Sequence, residues 1–429
     1  MWEAIKNSFK IPELRDRIIF TFLMLAVFRL GVYIPVPGIS LSSWANFFNS
    51  VSAGAGGGFF TLLNAFAGGA LSNMSIFAMS VTPYINASII LQLLMAVVPS
   101  LKELAKEGEQ GRQKIEKYTR ELTLVLAAVE SVALTVVVIL PHSTPSLNKF
   151  AFIILSSVSL MAGSMFLQWI GEMITDRGIG NGISIIIFAG VVATYPFYLG
   201  QMIISNLSVT SWALFFLIFV VTIFGLIYIM QGERRIMVQY AKKVVGRKMY
   251  GGQSSYIPMK VNQGGVLPII FAVAILMIPS MIAQFTHNYT LQSIFGFNSV
   301  FYIVIYALMV FFFTYFYSAI TFDVHDVSDN IKEYGGFIPG IRPGMPTEQY
   351  LAKVLSRITF LGALALVIIA LLPNLSAAIV GSNSGQIVGG VGMMIAVGVA
   401  LDVVQQMEAH LIMRHYEGFI KRGKLKGRI

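Results

Sequence analysis

Residues 151–203 read AFIILSSVSLMAGSMFLQWIGEMITDRGIGNGISIIIFAGVVATYPFYLGQMI. Two runs, 151–171 and 183–203, contain no charged residue, and the link between them, 171–182, holds Glu172, Asp176 and Arg177 with the glycines Gly178, Gly180 and Gly182. About 20 apolar residues suffice for a helix to cross the hydrocarbon core. The stretch therefore predicts two antiparallel membrane helices joined by a tight, glycine-rich turn. A GxGxG string can also cradle phosphate, but no strand precedes this one, and the turn is the better account. Working outward, apolar runs recur at 18–35, 75–98, 122–140, 212–230, 266–285, 299–322, 358–376 and 387–407. The pattern predicts an all-α integral membrane protein with ten transmembrane helices.

Charge orients the weave. The segments 1–17, 100–121, 171–182, 231–263, 321–357 and 408–429 carry 4, 6, 1, 7, 4 and 6 of the 30 lysines and arginines, leaving only Arg29 and Lys149 elsewhere. Lys and Arg accumulate in cytoplasmic loops. Six basic segments that include both ends demand an even number of crossings, so both termini are expected in the cytoplasm. The first apolar run ends at Pro35 and Pro37 with no small-residue cleavage site, which predicts a retained span rather than a removed signal. Only 12% of residues are charged and 56% are hydrophobic, against roughly 25% charged in a soluble domain. The net charge of +10 sits on one face and should draw anionic lipids, RNA phosphates or acidic protein surfaces. With no cysteine, disulfides and thiolate metal sites are excluded.

Two connections, 231–263 and 321–357, are long, basic and rich in Gly and Pro, and are expected to project into the cytoplasm with little helix. One apolar segment fits no span. Residues 59–74, FFTLLNAFAGGALSNM, are too short to cross and are interrupted at Gly68 and Gly69. Two readings fit: a re-entrant segment in the mouth of an outward cavity, or an amphipathic helix on the outer surface.

Enzyme chemistry finds little support, since HExxH and GxSxG patterns are missing and the histidines lie outside the spans or at their ends. Glu130, Asp402 and Arg29 are the ionisable residues at membrane depth. That is too few for a proton-coupled relay, which argues against a secondary transporter. The second span carries Ser80, Thr82, Asn86, Ser88 and Gln92, with Thr82/Asn86 and Ser88/Gln92 each four apart on one face. Such groups either bind helices together or border water or a moving seam.

The string Pro83-Tyr84-Ile85-Asn86-Ala87-Ser88-Ile89-Ile90-Leu91-Gln92 resembles the second span of the SecY family of protein-conducting channels. IGEMITDRGIGNGIS (170–184), GRKMY (246–250) and FIPGIRPG (337–344) resemble the same family, and similar segments run from Pro12 to Arg428. The resemblance implies ten helices in two inverted halves, 1–205 and 206–429, forming an hourglass. It implies an apolar waist at Val81, Ile85, Ile187, Ile270, Ile278 and Ile395. It implies a short re-entrant plug helix at about 59–74, with Phe59, Phe60, Leu62, Leu63, Phe66, Gly68, Gly69 and Leu71 closing that waist. A lateral gate would pass Thr82, Asn86 and Gln92, and Arg247, Lys248 and Arg342 would meet the motor ATPase SecA or the ribosome, through its rRNA phosphates and proteins. Implied partners are SecE and SecG, signal sequences and unfolded polypeptide, with no cofactor and no enzymatic activity. The implied setting is the bacterial cytoplasmic (inner) membrane.

Overall fold

A computed structural model describes residues 11–53, 57–142, 148–205, 207–240, 243–245, 248–250, 254–285, 294, 299–388 and 390–422. The chain forms two compact units, Met1–Phe197 with Val399–Ile429, and Tyr198–Gly398.

In the first unit lie α1 (Pro12–Gly31), α2 (Leu41–Ala53), α3 (Gly57–Phe66), α4 (Thr82–Val97), α5 (Pro99–Lys106), α6 (Glu109–Ala133), α7 (Lys149–Arg177) and the greater part of α8 (Gly182–Ile204). The link 171–182 is the expected turn. Arg17 donates from Nη1 to the Gly178 carbonyl at 3.1 Å, and Ile179 N donates to Thr21 Oγ1 at 3.2 Å. Gly180 N donates to Gln406 Oε1 at 2.8 Å, and Gly182 N to Thr175 Oγ1 at 2.9 Å. Side chains of the flanking helices thus satisfy the turn's backbone groups.

The second unit holds α9 (Val209–Gln231), β1 (Glu233–Tyr240), β2 (Lys243–Val245), β3 (Lys248–Tyr250), β4 (Ser254–Lys260), α10 (Leu267–Phe285), α11 (Val300–Thr321), α12 (Val324–Glu333), β5 (Gly336–Phe337), α13 (Met345–Val380) and α14 (Ser382–Ile387). The last helix, α15 (Gly390–Arg422), begins in this unit and continues into the first. Strands β4, β1 and β5 form an antiparallel sheet in which Ile236 faces Ile257 and Gln239 faces Phe337. Along β1 only Ile236 and Val238 are buried, alternating as one face of a strand must. They share a core with Met259, Ile331, Ile338, Leu351, Leu355 and Ile358.

Each expected span coincides with a helix, but two expectations change. The second span starts at Thr82, not 75, because residues 67–81 form turns with Gly68, Gly69, Met74 and Ser80 at positive φ. Its 16 residues reach only about 24 Å. The connection 321–357 is not poor in helix: it contains α12, capped by Asp323, whose carboxylate accepts from the backbone N–H groups of His325 and Asp326. It also contains the start of α13, whose 36 residues extend about 54 Å, well beyond a bilayer core. By length and composition, seven helices are apolar enough to cross a membrane among the described residues, or eight if the bent pair Thr82–Met95 and Pro99–Lys106 is one span. The first span, α1, starts with Glu13, Arg15, Asp16 and Arg17 and carries Arg29 near its end.

Candidate functional site

Residues 57–81 make one continuous feature within the first unit. Phe60 is 5% exposed and Leu71 1%, in one apolar cluster with Trp44, Phe48, Met74, Met79, Phe152 and Leu160, and Leu63 packs against it. The Phe47 ring meets Phe60 edge-on at 6.4 Å between centroids, and Trp44 Nε1 donates to the Leu71 carbonyl at 2.9 Å. Phe66 is buried as well. Burying these rings supplies the driving force that holds α3 in place. The side chains of Phe59 and Leu62 lie outside the described residues.

The chain leaves α3 through Gly68 at φ +65° and Gly69 at φ +89°, a conformation natural to glycine. Asn64 braces this exit, its side-chain Oδ1 accepting from Ser72 N and its carbonyl from Gly69 N, both at 2.8 Å. Ser80 Oγ donates to the Phe66 carbonyl at 3.2 Å, and Ser164 Oγ on α7 donates to the Ser80 carbonyl at 2.9 Å. Ser80, expected within the second span, is therefore a turn residue that ties that turn to the end of α3. Arg29 on α1 reaches across to donate from Nη1 to the Gly68 carbonyl at 2.6 Å. A Cβ on Gly190 of α8 would stand 2.6 Å from the Phe66 carbonyl oxygen and 3.1 Å from Gly68 N. Glycine at 190 is what lets α8 lie this close. Met74 and Ser80, at φ 44° and 52°, bracket a strained stretch that holds because its ends are bonded: Val36 N to the Met74 carbonyl and Ser80 N to that of Phe77.

Val81, the N-cap residue of α4, is 1% exposed, and Ile187 on α8 is 6% exposed. Ile85 is half-buried one turn into α4. These three belong to the first unit; Ile270 and Ile395 belong to the second, half-buried and buried respectively. The side chain of Ile278 lies outside the described residues. Among the polar residues of α4, Asn86 Nδ2 donates to Glu130 Oε1 on α6 at 2.8 Å, and Gln92 Nε2 donates to Ser88 Oγ at 3.2 Å within the helix. Asn86 thus binds two helices of one unit. Thr82 is half-buried in the first turn.

In the second unit, Arg342 is exposed on a loop held at both ends. Thr347 Oγ1 donates to the Arg342 carbonyl at 2.8 Å, and Ser328 Oγ to that of Gly344 at 3.1 Å. His325 on α12 sits 3.4 Å from Asp329 and 3.2 Å from Glu348 on α13. Its hydrogen bond to Glu348, then the charge of Asp329, push the imidazole pKa up. Arg247 lies outside the described residues, as does the side chain of Lys248 on β3.

The apolar residues of this site stand out in the sequence, and most of its polar supports do not. Arg29 carried a signal, as a charge at membrane depth; Asn64 and Gly190 carried none.

A family model described as SecY matches residues 75–404. The protein translocase subunit SecY of Thermotoga maritima is 56% identical, with 100% of each chain covered. That of Thermus thermophilus is 44% identical, again with 100% of each chain covered. Among solved structures, "The structure of a protein conducting channel" matches at TM-score 0.62 and 17% identity, covering 95% of this chain and 97% of that one. "Sec61 in the Canine ribosome-channel complex from the endoplasmic reticulum" matches at TM-score 0.57 and 16% identity, with the same 95% and 97% coverage. At such identities the structures speak for the fold, and the family model and full-length relatives speak for kinship: the chain belongs to the SecY family.

Proposed function

We propose that this chain is the central channel subunit of a Sec-type translocon, moving unfolded polypeptide across the bacterial cytoplasmic membrane and releasing apolar segments sideways into lipid. The observation that carries the reading is α3: ten residues, half of what a crossing requires, seated in an apolar cluster and left through left-handed glycines just before Val81. A segment with its own seat and a glycine exit is suited to leave and return. In this reading residues 59–74 are the plug, and Val81, Ile85, Ile187, Ile270, Ile278 and Ile395 form the waist. An apolar constriction excludes ions by dewetting, without a charged filter. It also offers a threaded chain nothing to bond to.

The lateral gate involves α4. Because Asn86 is tied to Glu130, α4 and α6 move together, leaving Thr82 and Gln92 for the seam. An apolar signal helix entering lipid gains about 0.8 kcal/mol per CH₂. A dozen such groups outweigh the roughly 1–2 kcal/mol of a polar interhelical contact, so passenger hydrophobicity decides between insertion and export. Arg247, Lys248 and Arg342 suit carboxylate or phosphate surfaces, on SecA or the ribosome. SecE and SecG complete the complex, the termini face the cytoplasm, and the driving energy comes from the partner.

The chain has no cysteine, so single cysteines at Val81, Ile85 and Ile187 report cleanly on what passes. A stalled nascent polypeptide should crosslink to all three. If none of the three forms an adduct during transit, the throat is elsewhere.

A further inference from the structure

Arg29 is the one charged residue of α1 beyond its first two turns, within a helix otherwise uncharged from Ile18 onward. A guanidinium at membrane depth is costly and normally marks a specific task. One simple task would be to neutralise the C-terminal dipole of its own helix, which ends two residues later at Gly31. The geometry says otherwise. The guanidinium donates instead to the carbonyl of Gly68, 39 residues further along the chain, at 2.6 Å. Its other amino group donates to Tyr33 Oη at 3.2 Å, and the guanidinium carbon stands 5.5 Å from the Tyr33 ring centroid. Tyr33 therefore fixes the arm while Gly68 receives the hand.

The place of attachment matters. Gly68 is the first left-handed residue after α3, so its carbonyl is part of the turn that must swing if α3 is to leave. On the other side of that turn lies Gly190 of α8, three residues after Ile187. The other polar holds on the exit, from Ser80 and Asn64, are bonds between neutral groups. A charge-assisted bond is roughly twice as strong as a neutral one.

We propose that Arg29 is a latch: a positioning residue that holds the exit turn of the plug through the Gly68 carbonyl and must release it for the channel to open. The proposal rests on the plug reading of residues 59–74, and its test separates the two. The complete channel complex is placed in planar bilayers, with and without residues 57–66, and ion leak is measured for the parent, Arg29→Gln and Arg29→Lys. Hydrogen exchange of the 67–72 amides is followed in parallel.

Arg29→Gln should raise leak about tenfold in the intact channel, the loss of one charge-assisted bond. Arg29→Lys, which keeps the charge but not the fork, should fall between, and both should speed exchange at Gly69 and Ser72. The channel lacking 57–66 should leak by itself, and there Arg29→Gln should add nothing. Should Arg29→Gln not assemble, Arg29→Lys and its exchange rates decide. A leak that rises equally with and without residues 57–66 would make Arg29 a residue of general packing and overturn the latch. So would unchanged leak and exchange in both variants while the deletion leaks. A deletion that does not leak would overturn the plug reading itself.

Discussion

Truncating Phe60 to alanine should loosen the plug without touching the waist. The ring is 5% exposed and sits in the cluster around Trp44. Burying a Phe side chain fully is worth roughly 1.5–3 kcal/mol, and the edge-on pair with Phe47 adds about 0.5–1.5 kcal/mol. Alanine keeps the first carbon and the seat relaxes in part, so about 2 kcal/mol of the closed state's advantage is lost. That is about thirtyfold in the closed-to-open ratio. A channel open about 0.1% of the time would then be open about 3% of the time. Single-channel recording in planar bilayers reads this fraction directly. A rise below threefold, with the complex intact by size exclusion, would mean that Phe60 packs the same in both states and that α3 does not leave its seat.

Three further outcomes are expected. Replacing Ile85 and Ile187 together by glycine should raise leak even with the plug seated, because a wider and wetter waist no longer dewets; unchanged conductance would remove these two from the constriction. Arg342→Glu should cut SecA-driven export into proteoliposomes at least tenfold, the scale of a central interfacial arginine, with the fold retained since Thr347 and Ser328 hold backbone carbonyls; normal export would refute the contact. His325 should make the α12–α13 junction pH-dependent. Its pKa is raised above the ordinary 6.5 by Glu348 and then Asp329, so its stabilisation is complete below about 6.5 and is lost as pH rises through the raised native value. Amide exchange in 324–333, corrected for intrinsic rate, should quicken over that window in the parent and stay flat in His325→Gln.

The apolar framework of this protein was legible in its sequence. The runs at 151–171 and 183–203 became α7 and α8 with boundaries shifted by a few residues, and the glycine-rich link became a turn. The segment 59–74 stood out because its length matched no crossing. Less legible was where the second span begins. Residues 75–81 are as apolar as those that come after them, and hydropathy cannot distinguish a buried turn from a helix. The helix inside 321–357 was masked by neighbouring Pro and Gly, though Asp323 before Val324 is a recognisable capping signal.

Hydropathy marks out the apolar helices and charge sets their expected orientation, because each span satisfies its own backbone and the cost of burying charge is paid residue by residue. Polar pairing is different. Arg29 finds Gly68 across 39 residues, Asn86 finds Glu130 across 44, and His325 finds Glu348 across 23. None of these partners lies on the same helix, so no local spacing encodes the match. Only the packing of helices against one another brings a donor within 3 Å or so of its acceptor.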